Sequence, residues 1–319
     1  MNSFLQRIFL FVLSLFVSWG LLWVVSLNNS FVETQFIAER SSNGEVNLKT
    51  AELMEMSPSD TLDFLFVGSS TCYRGIDPHA LIPHGLKGFS VCSSSQSLGN
   101  SDFVLDVALS FVSTRYLVVD VYPALWNREE AVNKESARDW LVNSSTPIKG
   151  AIFEMVWATK VPYYILLSWY FQISNYIGIE FKPVSSNLTD VYKGLGFVSS
   201  EVESIESIEC EELKVEMSTE VCEIINRMIN KVGDKGGQTI LLNPPQLCEE
   251  TFILPQCFEG GIYIDGNQWP GAKIITNYYD DHHLVDVGAE SYSIWLSNEL
   301  RILSTDPSSY RKNRILPGS

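Results

Sequence analysis

The stretch FLFVGSSTCYRGIDP, residues 64–78, decides the fold. From Asp63 to Val67 the chain is an almost unbroken apolar run. Continuous rather than alternating apolarity suits a parallel strand covered on both faces. Gly68-Ser69-Ser70-Thr71 follows at once. Small residues there permit a tight strand-to-helix turn and leave a hydroxyl beyond the carboxyl end of the strand, where open α/β sheets bind ligands. Backbone N–H groups at the start of such a helix can stabilise an oxyanion. The plain alternative is a turn that needs small residues and nothing more.

Working outward, the same kind of short apolar run recurs at Gly88–Cys92, Tyr116–Val121, Thr239–Leu242 and Lys273–Thr276. Helical patterns lie between them. Asn100 or Ser101 can cap a helix with Phe103, Val104, Val107, Ala108 and Phe111 on one face. Ser218 can cap another with Val221, Ile224, Ile225, Met228, Ile229 and Val232, stopped at Gly233. A last helix is predicted from Gly288 to Leu303. This alternation predicts a three-layer α/β/α sandwich with a mostly parallel five-stranded sheet over residues 61–303. A large insertion interrupts it at about 127–237. That insertion holds an aromatic stretch at Val161–Ile179, whose Pro162 and polar residues favour a buried or lid-forming helix over a membrane span. Nine glutamates between Glu201 and Glu223 read as a solvated face. Residues 304–319 are a polar, frayed tail.

The chain has 319 residues, 22 basic and 38 acidic, for a net charge of -16. Hydrophobic residues make up 45%, which excludes disorder over most of the length. So acidic a chain is not a nucleic-acid binder, because phosphate binding needs clustered Lys and Arg. Six cysteines without CxxC spacing exclude a disulfide scaffold and a structural zinc site.

Ile8 to Leu27 carries no charge. As a helix it would span roughly 30 Å, the thickness of a bilayer core. Arg7 precedes it, and Trp19 and Trp23 lie near its far end. The reading is an N-terminal transmembrane anchor over residues 1–28 with the N-terminus cytoplasmic, then a stalk or lead-in over 29–60. A cleaved signal peptide is the rival, and both place the main domain outside the cytoplasm, periplasmic or at the cell surface. Export makes a Cys248–Cys257 disulfide possible. Cys210 and Cys222 would be about 18 Å apart on one continuous helix and could not bridge. Cys72 reads as a small buried filler.

A serine hydroxyl needs a base to attack at neutral pH. The chain holds four histidines, and two of them stand in Asp280-Asp281-His282-His283, between the last predicted strand and the last helix. Asp280 and His283 are three apart, so one turn can set the carboxylate against the imidazole, orienting it and stabilising its charged form. His282 is expected to point elsewhere. The Asp280, Asp281, His282 and His283 cluster could instead bind metal, although no further ligands stand at metal spacing.

The segments FLFVGSSTCYRGIDP (64–78) and YYDDHHLVDVGAESYS (278–293) together resemble the SGNH (GDSL-type) hydrolase superfamily. They look most like its membrane-anchored exported branch, which includes alginate O-acetylation and D-alanyl transfer proteins. The resemblance covers roughly 60–125 and 238–303 and is not visible in the insertion. It implies a flavodoxin-like sheet with Ser70 as nucleophile, His283 as base and Asp280 as its orienter. The oxyanion hole would come from backbone N–H groups of Ser70 and of Ser95, with Gly99 the other candidate in VCSSSQSLGN (91–100). The family's third block, which supplies an oxyanion-hole Asn, has no match after VVDVYPALWN (118–127). Asp120 and Asn127 are the residues nearby. Losing one such donor costs about 10²–10³ in rate, which weighs against efficient hydrolysis more than against acyl transfer.

The expected function is an exported serine O-acyltransferase or esterase acting on acyl groups of envelope glycans. It would need no cofactor and no metal. Its partners would be an acylated glycan or acyl donor, the membrane through the N-terminal helix, and a membrane acyl-transfer protein. The alternatives are a scaffold that keeps the fold without catalysis and a metallophosphoesterase built on the Asp–His cluster.

Overall fold

The computed structural model describes residues 2–27, 45–57, 59–122, 131–143, 151–162, 169, 190–210, 213–248, 250–253 and 262–306. The chain forms two units, Met1–Ser42 and Asn43–Ser319. In the first, α1 (Asn2–Leu27) is one continuous helix whose apolar side chains are exposed from Phe4 to Trp19. Sequence reading expects this helix to cross a membrane. Among the described residues, no helix is long and apolar enough to do so. The side chains of α1 are described only from Phe4 to Gly20.

The second unit is built on β1 (Thr61–Val67), which lies between β2 (Gly88–Ser90) and β3 (Ser113–Asp120). β7 (Gln238–Asn243) and β9 (Ile262–Asp265) continue the sheet beyond β3 in the order β2-β1-β3-β7-β9, every pair parallel. Phe64, Leu65, Phe66 and Val67 are all buried, as expected for a central strand covered by helices on both faces. The chain leaves β1 toward β2 and returns through β3 to the other side, so the topological switch point lies between β1 and β3.

The helices follow the apolar faces read from the sequence, with shifted ends. α3 (Ser70–Gly75) leaves β1 directly. α4 (Leu98–Ala108) is capped by Ser97 in a capping box with Asn100, not by Asn100 or Ser101. The insertion contributes α5 (Lys134–Asn143), α6 (Ala151–Ala158) and the antiparallel hairpin β4 (Asp190–Gly194)–β5 (Phe197–Ser200). β6 (Leu213–Glu216) pairs in parallel with β8 (Glu250–Ile253) as a small second sheet. α7 (Thr219–Gly233) has the expected Ser218 cap and buries Val221, Ile224, Ile225, Met228 and Val232. It packs on α4 and feeds β7, so it is a crossover helix of the sandwich and not part of the insertion. α8 (Asp286–Thr305) closes the layer.

Two expectations are corrected. The last strand is not Lys273–Thr276 but Ile262–Asp265, with Ile262 and Ile264 pointing into the core. Ile274 is half exposed, and Lys273 Nζ donates instead to the Gln246 carbonyl at 2.9 Å, so that segment is a strap across a loop. The lead-in also contains a packed helix, α2 (Glu45–Glu55), with Val46, Lys49 and Leu53 buried. Glu201–Cys210 is exposed, as a solvated face should be. Nearly all of the aromatic stretch 161–179, together with Asn127 and the tail beyond Asp306, lies outside the described residues.

Candidate active site

Gly68 ends β1 at the switch point, where a Cβ would stand 2.3 Å from Asp120 Cβ at the end of β3. Only a residue without a side chain lets the two strands end this close together. Ser69 then precedes α3 and is buried. Its hydroxyl is 2.9 Å from Thr71 Oγ1, and Thr71 Oγ1 donates to Asp120 Oδ2 at 2.5 Å. Ser69 therefore serves the turn. Ser70 opens α3, where backbone N–H groups have no intrahelical acceptor.

The loop from Tyr279 to His283 is a closed unit. Tyr278 bridges Leu284, Tyr279 N donates to the His283 carbonyl at 3.1 Å, and Val285 N donates to Asn277 O at 2.9 Å. Within it, Asp280 Oδ1 accepts from the backbone N–H of His282 at 2.9 Å and of His283 at 2.7 Å. That turn leaves Asp280 Oδ2 facing His283 Nδ1 at 2.6 Å, and His283 Nε2 reaches Ser70 Oγ at 2.7 Å. Ser70, His283 and Asp280 are thus brought together as the sequence predicts, from segments 213 residues apart.

Burial alone would raise the Asp280 carboxyl, but hydrogen bonds and charge from His283 and His282 outweigh it and hold the group at about 2. Burial lowers His283 below the usual imidazole value, although Asp280 pulls the other way. At neutral pH the pair is a carboxylate beside a neutral imidazole, which is the state of a ready general base.

A cavity of about 240 Å³ opens over Ser70 and His283. Ser95 lines it, as do Ser94, Tyr122, Arg74 and His282. Ser95 adopts φ 54°, a left-handed conformation uncommon for serine, at the loop where an oxyanion donor was expected. Gly99 is not at the cavity. It sits in α4, where a Cβ would meet the Ala131 carbonyl oxygen at 2.1 Å, so it is small for packing reasons. Asp120 lies buried beneath the site and is pushed by burial to about 6. It takes hydrogen bonds from Thr71, Ser69 and Tyr122 and offers no oxyanion donor.

Sequence reasoning missed Arg74, Tyr122 and Tyr279. His282 does not point away: it lines the cavity, stacks on Tyr122 at 4.8 Å and bonds Asp281 Oδ1 through Nδ1 at 2.6 Å. Asp280, His282 and His283 offer ligand atoms within 4.8 Å of one another, close enough to hold a metal ion. Both imidazole Nδ1 atoms are engaged with carboxylates, however, and His283 Nε2 faces Ser70.

The cysteines depart from expectation. Cys72 is not a free filler but is bonded to Cys92, and Cys248 is bonded to Cys210, not to Cys257. Cys222 is disulfide-bonded as well. Cys72 and Cys92 come together because α3 starts beside the end of β2; the strand separation is invisible in a list of spacings.

No family model matches the chain, and no curated protein is significantly similar to it.

Proposed function

We propose that this protein is a serine-dependent O-acyltransferase or esterase of the SGNH type. The observation that carries the reading is the continuous relay Asp280–His283–Ser70, with links of 2.6 and 2.7 Å, at the carboxyl edge of a parallel sheet. Ser70 Oγ attacks an ester carbonyl and passes its proton to His283 Nε2 while the carbonyl oxygen becomes an oxyanion. Backbone N–H groups of Ser70 and Ser95 are the donors for that charge. Collapse expels the alcohol, which takes the proton from His283 and leaves an acyl-Ser70. A sugar hydroxyl or water then gives its proton to His283 and attacks the acyl carbon, and collapse expels Ser70 Oγ, which takes that proton back from His283. No step requires a metal or a cofactor.

Membrane anchoring and export belong to the same proposal. Exposed Phe, Leu and Val side chains around α1 favour a lipid surrounding, and paired cysteines favour an oxidising compartment. The substrate class proposed is an O-acylated envelope glycan or its acyl donor.

A fluorophosphonate probe, which phosphonylates an activated serine with loss of fluoride, tests the reading on the detergent-solubilised full-length chain. Wild type is expected to label at Ser70, with labelling lost in Ser70→Ala and His283→Ala. A folded wild type that stays unlabelled would refute stand-alone serine catalysis.

A further inference from the structure

We propose that the β4–β5 hairpin of the insertion sets the orientation of the catalytic base, through Asp190, Arg74 and Tyr279 acting as positioning residues. The inference rests on the reading of His283 as base to Ser70. Asp280 at Nδ1 and Ser70 at Nε2 fix the two ends of the imidazole, but they leave rotation of the ring plane about that axis unspecified. The plane is held between the tilted His282 ring, 4.0 Å away between centroids, and Tyr279, whose ring lies parallel to the imidazole at 5.2 Å and 2° between planes. The hydroxyl of Tyr279 in turn accepts from Arg74 Nη1. Arg74 stands one turn after Ser70 on α3. Its other terminal nitrogen, Nη2, is 2.5 Å from Asp190 Oδ2.

Asp190 is 3% exposed and Arg74 20% exposed. A buried ion pair of this kind stabilises a fold little, because desolvation offsets most of the attraction. What it can supply is a fixed position. Each terminal nitrogen of Arg74 makes one bond, to Tyr279 and to Asp190, so its guanidinium bridges the two as a strut.

The hairpin is itself held rigidly. Ser200 Oγ donates to Asp190 Oδ1 at 3.0 Å. Glu52 of α2 accepts from Leu195 N at 3.0 Å and from the Tyr192 hydroxyl. On its other strand, Ser199 Oγ and Ser200 N donate to Asp286 at 2.7 and 2.9 Å. Asp286 begins α8, three residues after His283. The hairpin therefore grips the His283 loop from both sides, and a segment with no visible family resemblance completes the site.

The test compares Tyr279→Phe, Asp190→Asn and Asp190→Glu with wild type, using fluorophosphonate labelling of the full-length protein with the rate expressed per labelled site. Tyr279→Phe keeps the stacked ring and removes only the strut's anchor, so it guards against misfolding. In Tyr279→Phe and Asp190→Asn the maximal labelling rate is expected to fall about tenfold with the half-saturating probe concentration unchanged, and Asp190→Glu should recover most of it. Wild-type rates in both variants, or a change confined to half-saturation, would overturn the proposal while leaving Ser70 catalysis standing. An unlabelled wild type would instead remove the catalytic reading on which the proposal rests.

Discussion

Gly68→Ala tests whether the approach of β1 and β3 builds the nucleophile turn. The added Cβ would lie 2.3 Å from Asp120 Cβ and 3.0 Å from Asp120 Cγ and Oδ2. Carbon atoms in contact sit about 3.5–4.0 Å apart, so the overlap exceeds 1 Å by roughly a few tenths. Neither side can retreat easily. Val67 is registered against Val119, and Asp120 against Leu242 in the next strand. The Asp120 carboxylate also takes Thr71 Oγ1 at 2.5 Å and Tyr122 N at 3.0 Å. Overpacking a rigid site costs about 1–3 kcal/mol, and disturbing a hydrogen bond to a buried charge adds about 1–2 kcal/mol. The expected loss is about 2–5 kcal/mol, or a Tm lower by about 4–10 °C at roughly 2 °C per kcal/mol for a chain this long. Gly233→Ala is the control, since nothing lies within 4 Å of its Cβ and it ends a helix; it should be neutral or slightly stabilising. Urea unfolding and probe labelling give the two readouts. A Gly68→Ala protein that loses under about 1 kcal/mol and labels at the wild-type rate would refute the steric argument.

Because burial lowers His283, labelling should rise from acid pH through a midpoint below the ordinary imidazole value and be flat at neutral pH, with Asp280, at about 2, ionised throughout. Asp280→Asn removes the hydrogen bond and charge that raise His283, so a pH–rate series should show the midpoint lower still and the plateau reduced by as much as about 10⁴; a midpoint that moves upward would contradict the assignment. Cys72–Cys92 closes a loop with a sequence separation of 20 and ties α3 to the chain entering the Ser94–Ser95 loop. Cys72→Ala/Cys92→Ala should therefore lower stability by about 3 kcal/mol in urea and slow labelling, and an unchanged transition midpoint would count against this role.

How much of this was legible depends on range. Apolar runs at Asp63–Val67, Gly88–Cys92, Tyr116–Val121 and Thr239–Leu242 gave four of the five strands of the main sheet because buried parallel strands are uniformly apolar. Ser218 and its apolar stripe gave α7 because cap and face are both local. Lys273–Thr276 misled because Ile274 and Ile275 look like a strand, whereas Ile262-Tyr-Ile-Asp265 is equally short and alternates its buried isoleucines with Tyr263 and Asp265. The Ser70–His283–Asp280 grouping was visible because Asp280 and His283 are three apart and Ser70 follows a strand. Arg74, Tyr122 and Tyr279 were not, because their roles depend on partners far away in the chain: Asp190 for Arg74, His282 for Tyr122, and Arg74 for Tyr279. Disulfide pairing failed for the same reason, since Cys72 meets Cys92 only once β1 and β2 are neighbours.

The same long-range logic bears on the oxyanion-hole asparagine that the proposed SGNH reading would call for and that has no match after 118–127. Ser95 holds φ 54° at the cavity, and a non-glycine residue keeps such a conformation only where its surroundings over-determine it. They do. Ser93 N donates to Gly68 O at 3.2 Å, and Ser93 Oγ donates to Gln96 Oε1 at 2.7 Å. Trp140 Nε1 donates to both of those side chains, at 3.1 Å each, and is itself fully buried. Trp140 belongs to α5, in the insertion. Asn133, just before α5, donates its N–H to Asn100 Oδ1 at 2.8 Å, so the cap of α4 is held by the same segment. The insertion therefore braces the site twice, through Trp140 on the Ser95 loop and through Asp190 on the His283 loop. On the proposed reading, a chain that lacks the side-chain oxyanion donor would depend more heavily on a backbone N–H held in a fixed place, and these contacts hold the Ser95 loop.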